Sequence, residues 1–402
     1  MSLPMKITIS DRLGRVKPSQ TQQVTLAAQG LQQQGVSVID LGAGEPDFDT
    51  PAHIGRAGIE AIQEGFTKYT ANAGIPELKD AVAEKYRLTY GVRYGADEVM
   101  ICAGGKQALF NVAMALFDSG DEVITHSPVW PTITEQIKLA GAAPVLVRTY
   151  AEERFQVRAE RVLDAVTPRT RAIVLNSPSN PTGALISERE LEIIVQETEN
   201  AGIWLVLDLC YEHLLHDDAV SHNLPMVVEK ARDRVVLIGS ASKTYAMTGW
   251  RCGWLLGSRD IVAACSTIQS HTTSNVSSIT QRAVLAALRD TGSSVEKMRT
   301  AYRERRNRFV ELLGEEPRIH VVLPDGAFYV FPDISEFLGS DTVRTSVDFA
   351  EKLLEDFHVA VTPGEAFDAP GYIRISYAAS IDDLTEGAKR ICQFARSCES
   401  VV

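Results

Sequence analysis

The sequence predicts an α/β protein: a large domain with a mostly parallel, seven-stranded sheet between helices, joined to a smaller α+β domain. Three observations point there. Between about residues 95 and 260, short β-rich runs alternate with amphipathic helical stretches, as parallel strands with covering helices do. After about Gln281 that alternation gives way to a long charged helical stretch rich in Arg and Glu. A chain of 402 residues, 45% hydrophobic and 23% charged, has enough apolar surface for two cores.

In chain order, strands are expected at 99–104, 122–126, 144–148, 172–176, 204–208, 235–239 and 253–257. Gly104-Gly105-Lys106-Gln107 opens a helix over 108–117, and Ser187 caps another over 188–199. The charged helix covers 295–313. An extended run at 327–331, a helix near 347–357 and a strand at 372–376 follow. The N-terminal segment is expected to pack with this last part. The domains are therefore residues 49–290, and residues 1–48 together with 291–402. Pro46 and Pro51 bracket the crossing, and no internal repeat is visible.

Charge and composition exclude several function classes. A formal net charge of −12 disfavours a nucleic acid or an anionic membrane as partner. No apolar run approaches membrane-spanning length, and Met1 to Ser10 lacks a charged segment followed by an apolar one. Six cysteines without a CxxC pair suit a reducing compartment, so a cytoplasmic location is expected. His213 and His216 lack the companions of a zinc site, and no metal is expected.

The most informative stretch is Ser240-Ala241-Ser242-Lys243, with Arg251 eight residues beyond the lysine. The amine can form a Schiff base and the guanidinium can hold a phosphate. A phosphorylated aldehyde cofactor, pyridoxal phosphate, needs that pair. The apolar run before it places Lys243 at a strand end, where open α/β sheets collect their chemistry. Gly105 and Lys106 sit where backbone N–H groups can meet an anion, although a plain strand-to-helix turn would read the same way. Asn180 lies in a turn stiffened by Pro178, Pro181 and Gly183. Asp208 ends a very apolar strand, with Tyr211 three residues on; a protonated pyridine nitrogen or an ordinary cap would each satisfy that acid. Trp130 can stack on a ring or fill a core. Arg374, inside a hydrophobic strand, demands an anion: a substrate carboxylate or an internal salt bridge.

Taken together, these motifs resemble the pyridoxal-phosphate-dependent class I and II aminotransferases of fold type I. The bacterial aspartate aminotransferases are the branch most like them. The likeness runs from Lys17-Pro18-Ser19 through the 42–51 run, Lys68-Tyr69-Thr70, Gly104-Gly105-Lys106-Gln107, Asn180-Pro181-Thr182-Gly183 and Ser242-Lys243 to Arg374-Ile375-Ser376-Tyr377. It implies that Lys243 carries pyridoxal 5'-phosphate and shuttles protons. It further implies that Asp208 pairs with the ring nitrogen, while Tyr211 and Asn180 bond the phenolic oxygen. Gly105, Lys106, Ser240, Ser242 and Arg251 would surround the phosphate, Trp130 would stack on the ring, and Tyr69 would reach the phosphate of a second subunit. For substrate, Arg374 and the Gly42 backbone would grip the α-carboxylate, with Asn180 beside them; Lys106 and Thr21 would recognise a distal one.

A homodimer with shared sites, acting on amino acids and 2-oxo acids by ping-pong exchange, is therefore expected, with aspartate or glutamate as donor. Two departures bear on substrate choice. Residues 128–133 lack the tyrosines that commonly flank the tryptophan, and Val276 stands where proline is usual. Aminotransfer to prephenate, aromatic or neutral substrates stays open, as does β-elimination on a cystathionine-like substrate. A cofactor-binding regulator would need a DNA-binding segment before Gly42.

Overall fold

Runs of aliphatic and β-branched residues form the expected sheet. The computed structural model describes residues 9–217, 219–290 and 292–398; most of the N-terminal stretch read for a leader lies outside them. In chain order the strands are β1 (Ile39–Asp40), β2 (Val99–Cys102), β3 (Glu122–Ser127), β4 (Ala143–Arg148), β5 (Thr170–Asn176), β6 (Trp204–Asp208), β7 (Val235–Ser240) and β8 (Gly253–Leu256). The seven from β2 onward pair in the order β2-β8-β7-β6-β5-β3-β4. Strand β8 runs antiparallel to both neighbours, and the other pairs are parallel. All seven expected strands are present. The first stops short of its expected end because Ala103 and Gly104 turn into a helix.

Both sheet faces are buried, and side chains alternate between them along each strand. In β6, Leu205 and Leu207 join one apolar cluster while Val206 joins the other. The helices in this part of the chain include α1 (Gln20–Gln33), α2 (Ala52–Gln63), α3 (Pro76–Tyr90), α4 (Gly105–Leu116) and α5 (Pro131–Leu139). Helix α3 packs on the Leu205 side; α4 and α5 pack on the Val206 side. The helix Glu188–Ala201 starts where Ser187 accepts from the Glu190 N–H, as its capping residue predicts.

A third apolar cluster gathers the C-terminal part around the long helix Ser293–Leu313. Its strands are β9 (Tyr329–Val330), β10 (Val359–Ala360), β11 (Thr362–Pro363) and β12 (Ile373–Ser376). They form an antiparallel β11-β12-β9 sheet, and β10 pairs in parallel with β1. The N-terminal segment thus adds a strand to the C-terminal part, and Ile39 and Leu41 join its cluster. From β1 the chain crosses to the large sheet, pinned by several contacts. Arg305 pairs with Asp47 at 2.8 Å, and the Thr50 hydroxyl donates to the Ala246 carbonyl at 2.6 Å.

Candidate active site

Because β8 is antiparallel to both β2 and β7, strands β2, β3, β5, β6 and β7 all end at one sheet edge. That edge receives the polar residue each strand carries at its end. In β5, β6 and β7, residues Asn176, Asp208 and Ser240 share the alternation of Val174, Val206 and Ile238, so they project to the α4 side. A cavity of about 490 Å³ opens there. Of the residues singled out from the sequence, Thr21, Gly42, Gly105, Lys106, Trp130, Asn180, Asp208, Tyr211, Ser240, Ser242, Lys243, Arg251 and Arg374 all line it. Tyr69 does not; it is 92% exposed on the surface.

The anion end is built from helix geometry. The first N–H groups of α4 have no intrahelical acceptor, and Gly105 and Lys106 bring them to the cavity wall. Gly104 makes the turn at φ +88°; a Cβ there would stand 2.7 Å from Nη2 of Arg251. That guanidinium donates to the Thr248 carbonyl at 2.8 Å, and no carboxylate pairs with it among the described residues. The Ser240 hydroxyl accepts from the Ser242 N–H at 3.1 Å, which caps the short turn bearing Lys243. A dianion would complete this cradle.

The centre holds a lysine and an acid. Lys243 Nζ donates to the Gly44 carbonyl. Desolvation depresses its pKa, and the cations of Arg374 and Arg251 push the same way. Asp208 is 2% exposed and accepts from the Cys210 N–H at 3.1 Å. With no cation paired to it among the described residues, burial drives its carboxyl up to about 7. The Lys106 ammonium lies 4.9 Å from the Trp130 ring centre, its pKa lowered by desolvation and then by Arg251.

The third end is built around the buried guanidinium of Arg374. Arg374 donates to the Asn180 side-chain oxygen at 3.0 Å and to the Gly42 carbonyl at 2.7 Å. Its Nε is buried without a hydrogen-bond partner, and among the described residues no carboxylate forms the internal salt bridge left open by the sequence. Asn180 reaches this position because its backbone N–H is held by Asn176 at 2.7 Å and its turn closes at Gly183. The φ there is +68°, and a Cβ would fall 2.6 Å from the Gly326 carbonyl. Tyr329, Cys210, Gln22 and Thr25 also line the cavity. Their positions, in a strand, a turn and a helix, carry no sequence signal separating them from core or surface residues.

The pattern of the class I and II aminotransferase family matches residues 36–391. The chain belongs to that family. It is 43% identical over 389 residues to a probable aspartate/prephenate aminotransferase of Aquifex aeolicus, covering 96% of this chain and 98% of the relative. With the aspartate aminotransferase of Bacillus subtilis it shares 39% identity over 386 residues, 96% of this chain and 98% of that one. The solved structure of the Thermus thermophilus aspartate aminotransferase with maleate superposes with a TM-score of 0.91 at 41% identity, covering 97% of this chain and 100% of that one. The protein is an aminotransferase of the fold the sequence predicts. Enzymes of this class depend on pyridoxal phosphate.

Proposed function

We propose that this aminotransferase uses pyridoxal 5'-phosphate on Lys243 to exchange amino groups, by ping-pong turnover, between a dicarboxylic amino acid and a 2-oxo acid. The residues fit the cofactor. Asp208 is a buried acid lacking a cation, which a protonated ring nitrogen supplies. The α4 turn with Ser240, Ser242 and Arg251 gathers N–H, hydroxyl and guanidinium donors that suit a phosphate. Trp130 offers a flat face on the cavity wall, and Tyr211 and Asn180 offer polar groups to a ring oxygen. When bound, the cofactor supplies an aldehyde that exchanges amines and a ring that takes up electron density.

The chain's own groups do the rest. Lys243 Nζ, desolvated and less basic than a surface lysine, is suited to take the proton from the substrate Cα. Arg374, its guanidinium oriented by the Gly42 carbonyl and the Asn180 side-chain oxygen, fixes the α-carboxylate and so orients that Cα. The observation that carries the reading is the orphaned Nε of Arg374 in the same cavity as Lys243. Lys106 and Thr21 line that cavity too, and a second cation beside a hydroxyl favours a distal carboxylate. The names of the relatives support aspartate as donor. A wider range that includes prephenate is the second reading, favoured by the name of the Aquifex relative and by the hydroxyl and amide groups of α1 on the cavity wall.

The same reading takes residues 49–290 as the cofactor-binding domain and residues 1–48 with 291–402 as the one that closes on substrate. It makes the enzyme a homodimer whose Tyr69 completes the neighbouring site, working in the cytoplasm, where its six free thiols suit a reducing environment. Purified protein with added cofactor and 2-oxoglutarate should consume aspartate faster than phenylalanine or alanine. Binding of the cofactor with no transfer from any donor would overturn the proposal.

A further inference from the structure

Tyr329 carries no sequence motif, yet it joins two parts of the site. Strand β9 pairs with β12 so that Tyr329 stands opposite Ser376, two residues from Arg374 on the same face. The guanidinium carbon of Arg374 lies 4.4 Å from the Tyr329 ring centre. The Tyr329 hydroxyl lies 2.9 Å from that of Tyr211. Gly44 permits the approach, since a Cβ there would stand 3.2 Å from the Tyr329 hydroxyl and 3.8 Å from Nη2 of Arg374. Both phenols are buried and both line the cavity.

Two hydroxyls at this separation share one hydrogen, and the stronger acid donates it. Arg374 stabilises the ionised form of Tyr329 and so opposes the rise that burial imposes. Tyr211 is pushed further up, by burial and then by Tyr329 itself. Tyr329 is therefore the donor, and Tyr211 keeps its own O–H for an acceptor in the cavity. We propose that Tyr329 is a positioning residue that donates to Tyr211 and so couples occupancy of the Arg374 clamp to the phenol facing the cofactor. The proposal rests on the reading that Lys243 carries pyridoxal phosphate. A carboxylate on Arg374 cancels the cation over the Tyr329 ring, weakens its donation and makes Tyr211 a poorer donor in turn. The other titratable groups facing the two phenols are Cys210 and Glu45; Lys243 is faced by these, Arg374 and Arg251. None of them is removed by the test.

The test follows the visible absorption band of the reconstituted enzyme against pH, with and without maleate. Tyr329→Phe keeps the ring under Arg374 and deletes only the donor. Its titration midpoint should rise by about one pH unit, since a weaker Tyr211 hydrogen bond favours the protonated form. Maleate should shift the variant's midpoint by less than half of the wild-type shift. A Tyr211→Phe/Tyr329→Phe double variant should titrate like Tyr211→Phe alone, because one residue acts through the other. A Tyr329→Phe midpoint and maleate response equal to wild type would overturn the proposal, as would additive shifts in the double variant. A wild-type protein without any visible band would instead overturn the cofactor reading.

Discussion

Asp208 sits on the wall of a polar cavity at the end of a strand whose other residues are apolar, and its carboxyl is held near 7 against an ordinary 3.8. Between those values the native state binds more protons than the unfolded chain. The stability of the cofactor-free protein must therefore fall as pH rises through that window, by an amount on the order of 4 kcal/mol. Asp208→Asn keeps the shape and removes the titration. Cofactor-free Asp208→Asn should melt several degrees above wild type at pH 8 and level with it near pH 4, while its reconstituted form loses most turnover. Melting curves equal at both pH values would mean that the acid is solvated. Lys106 gives the companion prediction for substrate. Lys106→Ala should lower kcat/KM for aspartate by about ten- to a hundredfold, and for a neutral donor by much less, because the deleted charge faces a distal acid. Steady-state kinetics on the two donors decides it; equal losses would give Lys106 a role in the cofactor cradle alone.

At the scale of elements, the central strands β5, β6 and β7 were legible because both faces are covered, so each carries an apolar run that ends in a polar residue. Asp208, the last residue of such a run, stood out because a buried charge there is costly unless it has a partner, and Lys243 stood out three residues beyond the next strand. Tyr329 did not. Strand β9 is two residues long and buried on both sides, so a functional phenol there looks like any core aromatic. Thr21 was reached only through family resemblance, since a threonine in the first turn of α1 carries no signal of its own. The tight turn after β5 was legible from its prolines and glycine, and it has a measurable cost attached. Gly183→Ala should destabilise the protein by roughly 1–3 kcal/mol in urea unfolding, because φ is +68° and the added carbon meets Pro324 and the Gly326 carbonyl. It should also raise KM through displaced Asn180. Unchanged stability would place that backbone in a looser state.

At the scale of the whole molecule, one chain leaves Tyr69 out of its own site and exposes Ile59 and Ile62 on α2 at 56% and 55%. A sequence read as a single chain places Tyr69 near a phosphate only by analogy, and the chain itself leaves that side chain on the surface. Mixing Tyr69→Ala and Lys243→Ala subunits tests this directly. Each homodimer should be weak or inactive. Heterodimers should carry one intact site, so that a random mixture recovers about a quarter of wild-type activity. Recovery of none would confine every catalytic group to one chain. The sidedness of the large sheet has a practical corollary. Asn176, Asp208 and Ser240 all project toward α4, so the layer beneath the opposite surface, around Leu205 and Val235, holds none of these three polar groups. That layer can drift in evolution, or be refilled by an engineer seeking heat tolerance, while the chemistry above is left alone.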